Sequence, residues 1–474
     1  MKKLSVLLYT LLLITNLFAG NPVDDFINNP LLQNANISLL VKDLETNKTI
    51  SQFRSNNSTT PASTMKLVTT ATALEWLGAD FCFKTKLEID GTITRDSVLI
   101  GNIYIRGGGD PTLGSEKLGD ARFLDKWVDA IKHAGINTVK GNIIADASLY
   151  NDEGVNPFWT WEDIGNYYAG GVYGISYLDN SCKVLFRSGK AGTTPEITRT
   201  IPPIPGLTFE NHLLSSNIAF DSCYFHGAPH SNTRSIYGEI PANRSEFIVK
   251  VDIPNPGLLL AQDFKKALTE HQVTVHGQAT DIPSRGKNCK EIYTQISPPL
   301  SEIVRETNIK SNNHYAEQIF RYLALKDYPV ASVVGALKVI KLFWKSKGLP
   351  VDQLFQYDGC GLSPMDAVSA DFFVDLLIYM NNKSSSQQAF FKSLPVSGES
   401  GTLANLLKNT ALQGKVHAKS GTITRVKTYA GYINANGKNY VFALLVNNAN
   451  GSSEAVKRKM EKFLLQVSEN NNQN

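Results

Sequence analysis

The stretch TPASTMKLV, residues 60–68, decides how the rest of this chain is interpreted. Apolar residues recur at helical spacing over residues 65–77, so the sequence predicts a helix that begins near Ser63. Side chains three residues apart share one face of a helix, at about 5–6 Å from each other. The amine of Lys66 can therefore reach the hydroxyl of Ser63, and a proton can pass between them.

The start of the predicted helix would favour a negative charge that develops on Ser63. Thr60 is a candidate N-cap, and Pro61 suits the first helical position. Unpaired backbone N–H groups and the positive end of the helix dipole lie at such a start. The Ser-x-x-Lys pattern alone is weak, because a chain of this length contains about two by chance. The second, from Ser284 to Lys287, lies in a loop without apolar periodicity.

The composition describes a large globular chain. It has 474 residues, of which 42% are hydrophobic and 19% charged, so it can bury large cores and has the length of two or three domains. The net charge is +4, and no basic run is interleaved with aromatic residues. Nucleic acid is therefore not an expected partner.

Residues 1–20 have the pattern of a secretory signal peptide. Two lysines precede an apolar run from Leu4 to Phe18, and the small residues Ala19 and Gly20 follow. A retained anchor helix is the alternative, but polar residues interrupt the run and about 20 apolar residues are needed to span a bilayer. We therefore expect an exported, periplasmic protein without a membrane span once the signal is cleaved.

The cysteines form no metal-binding pattern. None of the five is spaced as in a Cys-x-x-Cys ligand pair, so no metal is expected. Export makes disulfides possible, and Cys182 with Cys223 is the pair best placed to share one small domain. The odd count leaves at least one thiol unpaired, and the sequence leaves open whether these two are joined.

The order of predicted elements indicates a core built from both ends of the chain. A hairpin over residues 37–53 leads to the helix at Ser63. Helices return from about residue 298, and strands alternate with turns over residues 416–446. Between them, residues 83–283 contain short strands separated by Gly, Asn and Pro turns. This middle segment is predicted to be an insertion of two smaller units.

Two further short motifs follow in a definite order. Ser311–Asn313 reads Ser-Asn-Asn, comes directly before an amphipathic helix, and offers a hydroxyl and an amide two residues apart. Lys419–Thr422 reads Lys-Ser-Gly-Thr in a strand-like context, and Lys-[Ser/Thr]-Gly occurs only there. Its glycine, Gly421, would let a substrate backbone approach the strand, and its lysine offers a fixed cation.

Ser-x-x-Lys, Ser-x-Asn and Lys-Ser-Gly in this order resemble the motif set of the penicillin-recognising serine enzymes. The wide gap between Lys66 and Ser311 resembles the spacing in one family among them, in which a large insertion separates the first two motifs. That family is the D-alanyl-D-alanine carboxypeptidases/endopeptidases of the penicillin-binding protein 4 type, peptidase family S13, the class C low-molecular-mass penicillin-binding proteins. The resemblance covers nearly all of the mature chain and includes residues 101–112, 159–163, 358–363 and 398–403.

Two positions depart from the family pattern. Ser420 stands where the family commonly has Thr, which keeps the hydroxyl and loses a methyl group. Cys360 stands where the family usually has Ser in Asp-Gly-Ser-Gly, so a role for that hydroxyl is not carried over. The thiol also raises the question of its oxidation.

The resemblance implies a catalytic role for Ser63 and Lys66. Ser63 would attack the carbonyl of a D-Ala-D-Ala peptide and form an acyl-enzyme, which water releases. Lys66 would be the base, and burial together with the nearby cation of Lys419 would lower its pKa. The backbone N–H groups of Ser63 and Thr422 would form the oxyanion hole.

The remaining roles implied by the resemblance concern substrate binding and proton relay. Ser311 would pass a proton to the leaving amine, and Asn313 would hold the substrate amide. The terminal carboxylate would be held by Lys419 together with the hydroxyls of Ser420 and Thr422, on either side of Gly421. Asp163 matches an acidic position that lies near the stem-peptide side chain in this family.

The resemblance also implies an α+β fold of the penicillin-binding-protein and serine β-lactamase type, with an antiparallel sheet flanked by helices and a large inserted α/β region. The expected parts are a signal peptide at 1–20, a DD-peptidase (transpeptidase-like) domain at 21–83 and 286–468, an inserted domain II at 84–175 and 248–285, an inserted domain III at 176–247, and a disordered tail at 469–474.

The expected function is hydrolysis of peptidoglycan stem peptides and cross-links, without metal or organic cofactor, and with β-lactams as acylating inhibitors. A serine β-lactamase, and a non-catalytic wall-binding or sensor protein of the same fold, are the alternatives. The sequence leaves open the balance of carboxypeptidase and endopeptidase action, the stem-peptide diamine, the rate of β-lactam deacylation and the oligomeric state.

Overall fold

The computed structural model of the chain describes residues 21–282 and 289–470. The predicted signal peptide at residues 1–20, the Ser284 to Lys287 pair and residues 471–474 of the predicted tail lie outside the described residues. The α-helices in the described ranges are α1 Pro22–Ile27, α2 Lys66–Leu77, α3 Phe123–His133, α4 Pro256–Glu270, α5 Leu300–Lys310, α6 Asn313–Tyr322, α7 Val333–Ser346, α8 Ala370–Asn382, α9 Gln387–Lys392 and α10 Ser453–Asn470.

The strands are mostly short, and the longest lie near the C-terminus. In chain order they are β1 Asn36–Asp43, β2 Thr49–Phe53, β3 Lys84–Ile89, β4 Thr92–Ile93, β5 Val98–Ile100, β6 Ile103–Arg106, β7 Thr138–Val139, β8 Ile143–Asp146, β9 Ser181–Arg187, β10 Glu196–Ile201, β11 Thr208–Asn211, β12 Leu214–Ser216, β13 Tyr224–His226, β14 Thr233–Tyr237, β15 Glu239–Pro241, β16 Phe247–Asp252, β17 Thr274–Val275, β18 Ala279–Ile282, β19 Lys290–Ile296, β20 Leu354–Phe355, β21 Ala367–Val368, β22 Val416–Ile423, β23 Val426–Ala435 and β24 Lys438–Asn447.

One antiparallel sheet joins the two ends of the chain. Its strand order is β2-β1-β24-β23-β22, and β1 pairs with β24 along its whole length. Successive side chains of a strand point to opposite faces. Leu39 and Val41 accordingly belong to one hydrophobic core and Leu40 to another, so both faces of the sheet are buried.

Helices cover both faces of this sheet. Side chains of α1 and α10 pack against the face that carries Leu39, and side chains of α2 and α5 to α9 pack against the opposite face. α2 is the central helix of the second group, because every residue from Lys66 to Leu74 is buried. The predicted α+β fold, an antiparallel sheet flanked by helices, is confirmed. In the described part of the chain, no helix combines the length and apolarity needed to cross a bilayer.

The segment between α2 and α5 forms smaller sheets around a separate hydrophobic core. β3 and β19 are antiparallel neighbours, so the chain enters and leaves this segment side by side. Trp127 of α3 and Phe264 of α4 belong to the same buried cluster as Phe225 of β13 and Ile236 of β14. The expected boundaries between inserted domains II and III stay predictions.

Two sequence-based expectations are wrong, and one open question is answered. Thr60 caps no helix, because residues 62–65 form a 3-10 turn ahead of α2 and no side chain caps either element. α10 extends through residue 470, so residues 469 and 470 are helical rather than part of a disordered tail. Cys182 and Cys223 are not joined and remain thiols, and burial raises the pKa of Cys182 to about 12.

Asn447 ties the central sheet to the turn that carries Ser63. Its Oδ1 accepts a hydrogen bond from the backbone N–H of Thr60 at 2.8 Å, and its Nδ2 donates to the Thr60 carbonyl at 3.0 Å. Asn447 ends β24 and is buried, so both bonds form away from bulk water. The residue expected to cap the helix is instead held by the sheet.

We expect Asn447→Ala to slow acylation of Ser63 by a labelled penicillin. The change leaves two backbone groups of Thr60 without partners, which costs about 1–3 kcal/mol and loosens the turn that carries Ser63, the predicted nucleophile. A loss of about tenfold in the acylation rate corresponds to 1.4 kcal/mol and is the expected minimum. Asn434→Ala is the matched control, since Asn434 is exposed on β23 and bonds only Asn439 among the contacts of its side chain. Equal rates and melting temperatures in the two variants would contradict the role of Asn447.

Candidate active site

The side chain of Lys66 is fully buried and its Nζ contacts three oxygen atoms. Ser63 Oγ lies at 2.9 Å, Asn313 Oδ1 at 2.7 Å and the backbone carbonyl oxygen of Cys360 at 2.7 Å. The first comes from the adjoining turn, the second from the start of α6, and the third from the loop that follows β20. Three segments that are distant in sequence therefore meet at one amine.

These three partners suit a neutral amine whose lone pair faces Ser63. A neutral lysine amine has two N–H groups and one lone pair. The Cys360 carbonyl and the Asn313 amide oxygen can only accept, whereas the Ser63 hydroxyl can also donate. The Asn313 amide is oriented by its Nδ2, which donates to the carbonyl of Tyr168 at 3.0 Å. With both N–H groups directed to acceptors, the lone pair remains for the proton of the Ser63 hydroxyl.

Burial lowers the pKa of Lys66 below its ordinary value of 10.5, while the charge of Asp358 acts in the opposite direction. The pKa of Lys419 is held well below 10.5, first by burial and then by the positive charge of Lys66. The interaction of two charges is mutual. Burial is thus the main cause of the lowered pKa in both lysines, and the charge of Lys66 lowers the pKa of Lys419 further.

Ser311 and Asn313 lie at the corner between α5 and α6. α5 ends at Lys310, and Ser311 adopts a left-handed backbone conformation with φ of +57°, which turns the chain. Asn312 caps α6 by accepting a hydrogen bond from the N–H of Tyr315 at 3.2 Å. The cap is therefore Asn312, and the side chains of Ser311 and Asn313 are left for contacts with the two lysines.

Lys419 is buried on β22 and contacts this corner from the side of the sheet. Its Nζ donates to Ser311 Oγ at 2.9 Å and to the carbonyl of Ser420 at 2.8 Å. Lys66 holds Asn313 in the same way. The two lysines thus bind the two ends of the Ser311–Asn313 triplet, and the five residues predicted to be catalytic form one connected group.

Two glycines allow backbone segments to pack directly against the turn of Ser63. A Cβ on Gly421 would lie 2.5 Å from the Pro61 carbonyl oxygen and 3.0 Å from the Ser63 nitrogen. A Cβ on Gly361 would lie 1.8 Å from the Ala62 carbonyl oxygen. The expected reason for glycine at 421 was the approach of a substrate. In the structure its missing side chain makes room for the turn of Ser63 itself.

The hydroxyls of Ser420 and Thr422, predicted to bind a substrate carboxylate, form hydrogen bonds with residues outside the lysine cluster. Ser420 Oγ donates to Thr402 Oγ1 at 2.7 Å. Thr422 is exposed near the end of β22, and its Oγ1 accepts a hydrogen bond from Lys427 Nζ at 2.8 Å. Thr402, which the sequence reasoning missed as a site residue, lies in the quoted segment 398–403, so that segment borders the site.

Asp163 reaches the site through Tyr168. Its carboxylate accepts a hydrogen bond from Thr160 Oγ1 at 2.7 Å and another from the Tyr168 hydroxyl. The backbone carbonyl of Tyr168 accepts the bond from Asn313 described above. Burial raises the pKa of Asp163, and the two hydrogen bonds oppose that rise. Asp163 is therefore linked to the lysine cluster indirectly, through Tyr168 and Asn313.

Asp358 is the main site residue that the sequence reasoning missed. Its carboxylate accepts hydrogen bonds from Trp159 Nε1 at 2.8 Å and from the backbone N–H groups of residues 360, 361, 362 and 363. These bonds fold the loop that presents the Cys360 carbonyl to Lys66. Residues 358–363 were singled out only as a family resemblance, because a backbone carbonyl carries no residue-type signal.

The thiol of Cys360 takes no part in this contact. It donates a weak hydrogen bond to Asp358 Oδ2 at 3.3 Å and is fully buried. Burial, followed by the charge of Asp358, raises its pKa well above 9.0. The thiol therefore stays protonated, which makes it a poor target for oxidation. Replacing the common Ser by Cys leaves the backbone carbonyl in place for Lys66.

Three buried residues beside the lysine could geometrically hold a metal ion. Glu317, Asp358 and Cys360 bring their ligand atoms within 4.8 Å of one another. Glu317 already accepts hydrogen bonds from the N–H of Gly359 at 2.7 Å and from Asn156 Nδ2 at 2.8 Å. A metal would have to displace the bonds that shape the loop, so the donor set fits a structural role.

An antiparallel sheet flanked by helices carries a buried lysine bonded to a serine on the adjoining turn, and a second lysine bonded to a Ser-x-Asn corner. This combination defines a serine enzyme of the penicillin-recognising class, in which an activated hydroxyl attacks a carbonyl. Known proteins narrow the class further.

The D-Ala-D-Ala carboxypeptidase 3 (S13) family matches this chain over residues 20–469. A D-alanyl-D-alanine carboxypeptidase of Actinomadura sp. (strain R39) is 27% identical over 445 residues, which are 90% of this chain and 81% of that protein. D-alanyl-D-alanine carboxypeptidase DacB of Haemophilus influenzae is 24% identical over 439 residues, 91% of this chain and 89% of that protein.

The crystal structure of penicillin-binding protein 4 (dacB) from Haemophilus influenzae has the same fold. It gives a TM-score of 0.81 at 20% identity and covers 94% of this chain and 98% of that chain. Its complex with a β-lactam gives a TM-score of 0.76 over the same shares of the two chains.

The chain therefore belongs to the D-Ala-D-Ala carboxypeptidase 3 (S13) family. It is a serine-type D-Ala-D-Ala carboxypeptidase with the fold of a penicillin-binding protein, and the predicted family, fold and enzyme class are confirmed.

We expect Asp358→Asn to slow acylation of Ser63 by about a hundredfold, because an amide directs N–H groups at the backbone N–H donors of the loop and displaces the Cys360 carbonyl. The acylation rate with a labelled penicillin measures this effect. Asp366→Asn is the matched control. Asp366 is buried next to Asp358 and accepts from the N–H of Tyr357 at 2.7 Å, a bond that the asparagine oxygen keeps.

Asp366→Asn is expected to preserve the rate and to raise stability at neutral pH. Burial, and then the charge of Asp358, raise the pKa of Asp366 well above 3.8, so the folded protein holds a proton there. The unfolded chain releases that proton above about pH 4, so this group makes stability fall as pH rises, and asparagine removes the loss. A hundredfold slower Asp366→Asn variant, or an unaffected Asp358→Asn variant, would contradict this assignment.

Proposed function

We propose that this enzyme hydrolyses the terminal D-Ala-D-Ala bond of peptidoglycan stem peptides, and D-Ala cross-links between them, through an acyl-enzyme on Ser63. The observation that carries the proposal is the 2.9 Å contact between Ser63 Oγ and the buried Lys66 Nζ, whose other two partners can only accept hydrogen bonds. An amine in that setting takes the hydroxyl proton as the serine oxygen attacks the peptide carbonyl.

The tetrahedral intermediate then breaks down towards the acyl-enzyme. Its oxyanion would be bound by the backbone N–H groups of Ser63 and Thr422, and loss of one such donor typically costs about 10² to 10³ in rate. Ser311, bonded to Lys419, would give its hydroxyl proton to the departing amine and take back the proton that Lys66 removed from Ser63, so that D-Ala leaves and Lys66 is neutral again. Water then attacks the ester, with Lys66 as base, and frees Ser63.

Lys419 supplies positive charge where the substrate has a carboxylate. Its Nζ is hydrogen-bonded to Ser311, and the residue lies on β22 two positions before Gly421. A substrate strand alongside β22 would place its terminal carboxylate near Lys419, Ser420 and Thr422. Substrate binding would require Ser420 to exchange its bond to Thr402 for one to the carboxylate. Asn313 would hold the substrate amide and Asp163 would face the stem-peptide side chain.

The location of the substrate agrees with export of this chain. Residues 1–20 have the sequence of a signal peptide, and stem peptides lie outside the cytoplasmic membrane. We assign the mature enzyme to the periplasm. β-Lactams would acylate Ser63 because they resemble the acyl-D-Ala-D-Ala bond in shape.

A serine β-lactamase of the same class is the second candidate, and it differs by rapid release of the acyl group. A wall-binding or sensor protein without turnover is the third. The connected group of Ser63, Lys66, Asn313, Ser311 and Lys419 favours an enzyme over the third candidate, because a binding protein has no need of a lysine with a lowered pKa.

We expect labelled penicillin to modify the wild-type protein and to leave Ser63→Ala unmodified, since the alanine has no nucleophile. Digestion of muropeptides followed by mass spectrometry measures the reaction. Loss of one alanine marks carboxypeptidase action, and conversion of dimers to monomers marks endopeptidase action. Equal labelling of both proteins would remove Ser63 as nucleophile. Rapid nitrocefin turnover without release of D-Ala would favour the β-lactamase.

The rate of acylation should rise with pH through the lowered pKa of Lys66 and level off below pH 10.5, because the base must be neutral. Lys66→Arg should abolish acylation, since a guanidinium keeps its proton at all accessible pH values. The same lowered pKa means that the unfolded chain binds more protons at this site, so its contribution to stability grows as pH rises. An active Lys66→Arg variant would contradict Lys66 as the base.

A further inference from the structure

Five aromatic side chains form a continuous row on the surface of the insertion. Trp161 stacks on His226 with centroids 5.6 Å apart and planes at 12°, and His226 contacts Tyr224 at 5.2 Å. Tyr224 lies 5.9 Å from Tyr237, which stacks on His212 at 4.9 Å and 14°. We call these five residues the aromatic row. Each ring touches the next, so the row is one surface.

The row lies on the outer face of the sheet formed by β11, β14 and β13. Phe225 and Ile236 point inwards and are fully buried, and the strand alternation turns Tyr224 and Tyr237 outwards. Tyr224 and Tyr237 are 39% and 37% exposed, and Trp161 is 61% exposed. The row therefore presents ring surface to solvent along its length.

Sheet stability explains only part of this arrangement. Tyr224 and Tyr237 are directly opposite in the register of β13 and β14, and such a pair contributes about 0.2–1 kcal/mol to a sheet. Trp161 belongs to a different segment, and His212 follows the end of β11. Single exposed aromatic residues are ordinary on proteins, whereas contiguous exposed patches mark binding sites.

The row is joined to the active site by hydrogen bonds of one loop. Asn166 accepts from the N–H of Phe225 at 3.0 Å and donates to the carbonyls of Phe225 and Asp163. The same loop continues to Tyr168, whose carbonyl binds Asn313. β13, which carries two rings of the row, is thus fixed to the loop that borders the lysine cluster.

We propose that the aromatic row binds the glycan strand to which the stem peptide is attached. This rests on the proposed function, since the loop that is hydrogen-bonded to the row also borders a site for stem peptides. A pyranose ring has a face of C–H bonds that stacks on an aromatic face, while its hydroxyl and amide groups bond the polar edges of His and Tyr.

The row would hold a polymer while the active site works on one of its side chains. Binding energy from a part of the substrate that does not react can align the reacting bond. A free stem peptide lacks this anchor. The row should therefore affect reaction with glycan-linked peptides and leave reaction with free peptides unchanged, and this difference separates glycan binding from a structural role.

The first test measures binding without catalysis. Ser63→Ala is titrated calorimetrically with peptide-free glycan strands of peptidoglycan, alone and combined with Tyr224→Ala/Tyr237→Ala or Tyr224→Phe/Tyr237→Phe. We expect the alanine pair to bind about tenfold or more weakly and the phenylalanine pair to bind like the parent, because the ring is kept. No binding by the parent, or equal binding by the alanine pair, would overturn the proposal.

The second test uses the active enzyme with two substrates, a free stem pentapeptide and the same peptide on a glycan strand. The alanine pair should lose about tenfold in kcat/KM on the glycan-linked substrate only, through KM. Phe355→Ala, which removes a 48% exposed ring outside the row, is the control and should change neither value. Equal losses on both substrates would show a structural role and overturn the proposal.

The two tests also separate this proposal from the proposed function. If the wild-type enzyme takes up no labelled penicillin and releases no D-Ala, the proposed peptidase is refuted. The calorimetric result would still decide whether the row binds glycan. Sedimentation of each variant tests whether a second copy of the chain, rather than a glycan strand, covers the aromatic row. A dimer that only the alanine pair abolishes would make the row a contact between copies and overturn the proposal.

Discussion

The structure depends on the burial of one lysine amine. Lys66 lies on the central helix of a hydrophobic core, where water cannot serve its Nζ, so the protein itself must provide partners. It provides Ser63, Asn313 and the Cys360 carbonyl, from three separate segments. Burial lowers the pKa of the amine. Because two of the three partners can only accept hydrogen bonds, the N–H groups point to them and the lone pair points to Ser63. Reactivity and packing are thus set by the same contacts.

Each partner of the amine is held by a further residue, and the insertion supplies part of that support. The loop of Cys360 is folded around the Asp358 carboxylate, which also receives the indole N–H of Trp159. Asn313 is oriented by the carbonyl of Tyr168. Trp159 and Tyr168 both belong to the segment inserted between the first two motifs. The insertion therefore completes the site, and the central domain alone would leave Asp358 and Asn313 without these donors and acceptors.

The sequence predicts the side chains that meet at Lys66 and Lys419, and it misses the support that the Asp358 carboxylate and the Cys360 carbonyl give them. Ser63, Lys66, Lys419 and the Ser311–Asn313 triplet were identified because hydroxyl, amine and amide groups at fixed spacing are visible in a sequence. The contact from Lys66 to the carbonyl of Cys360 leaves no such trace, since every residue has a carbonyl.

Long-range packing accounts for the other differences between prediction and structure. Thr60 is a good helix cap by composition, yet Asn447 binds both of its backbone groups from a strand that lies 387 positions away in sequence. Gly421 was assigned to substrate approach, but the space at its missing Cβ is filled by the turn of Ser63. Local pattern cannot report which distant segment occupies a space. The strands of the central sheet are predictable because apolar runs between turns are local, whereas the fold is an expectation from the family resemblance and the contacts of the sheet are not visible in the sequence.

The two buried lysines also determine how a proton leaves the site again. In the proposed mechanism, Lys66 would take the proton of Ser63 and become a cation inside the core, and its charge would act on Lys419, whose pKa is lowered by burial and by that charge. Both conditions disfavour the charged form, so Lys66 holds the proton only transiently. Ser311 lies against Lys419, and Asn313, two residues on, lies against Lys66, which places a relay hydroxyl next to the second cation. In the proposed mechanism, repulsion between the lysines would favour transfer of the proton to the departing amine, so the pair proposed to activate the nucleophile would also favour release of the product.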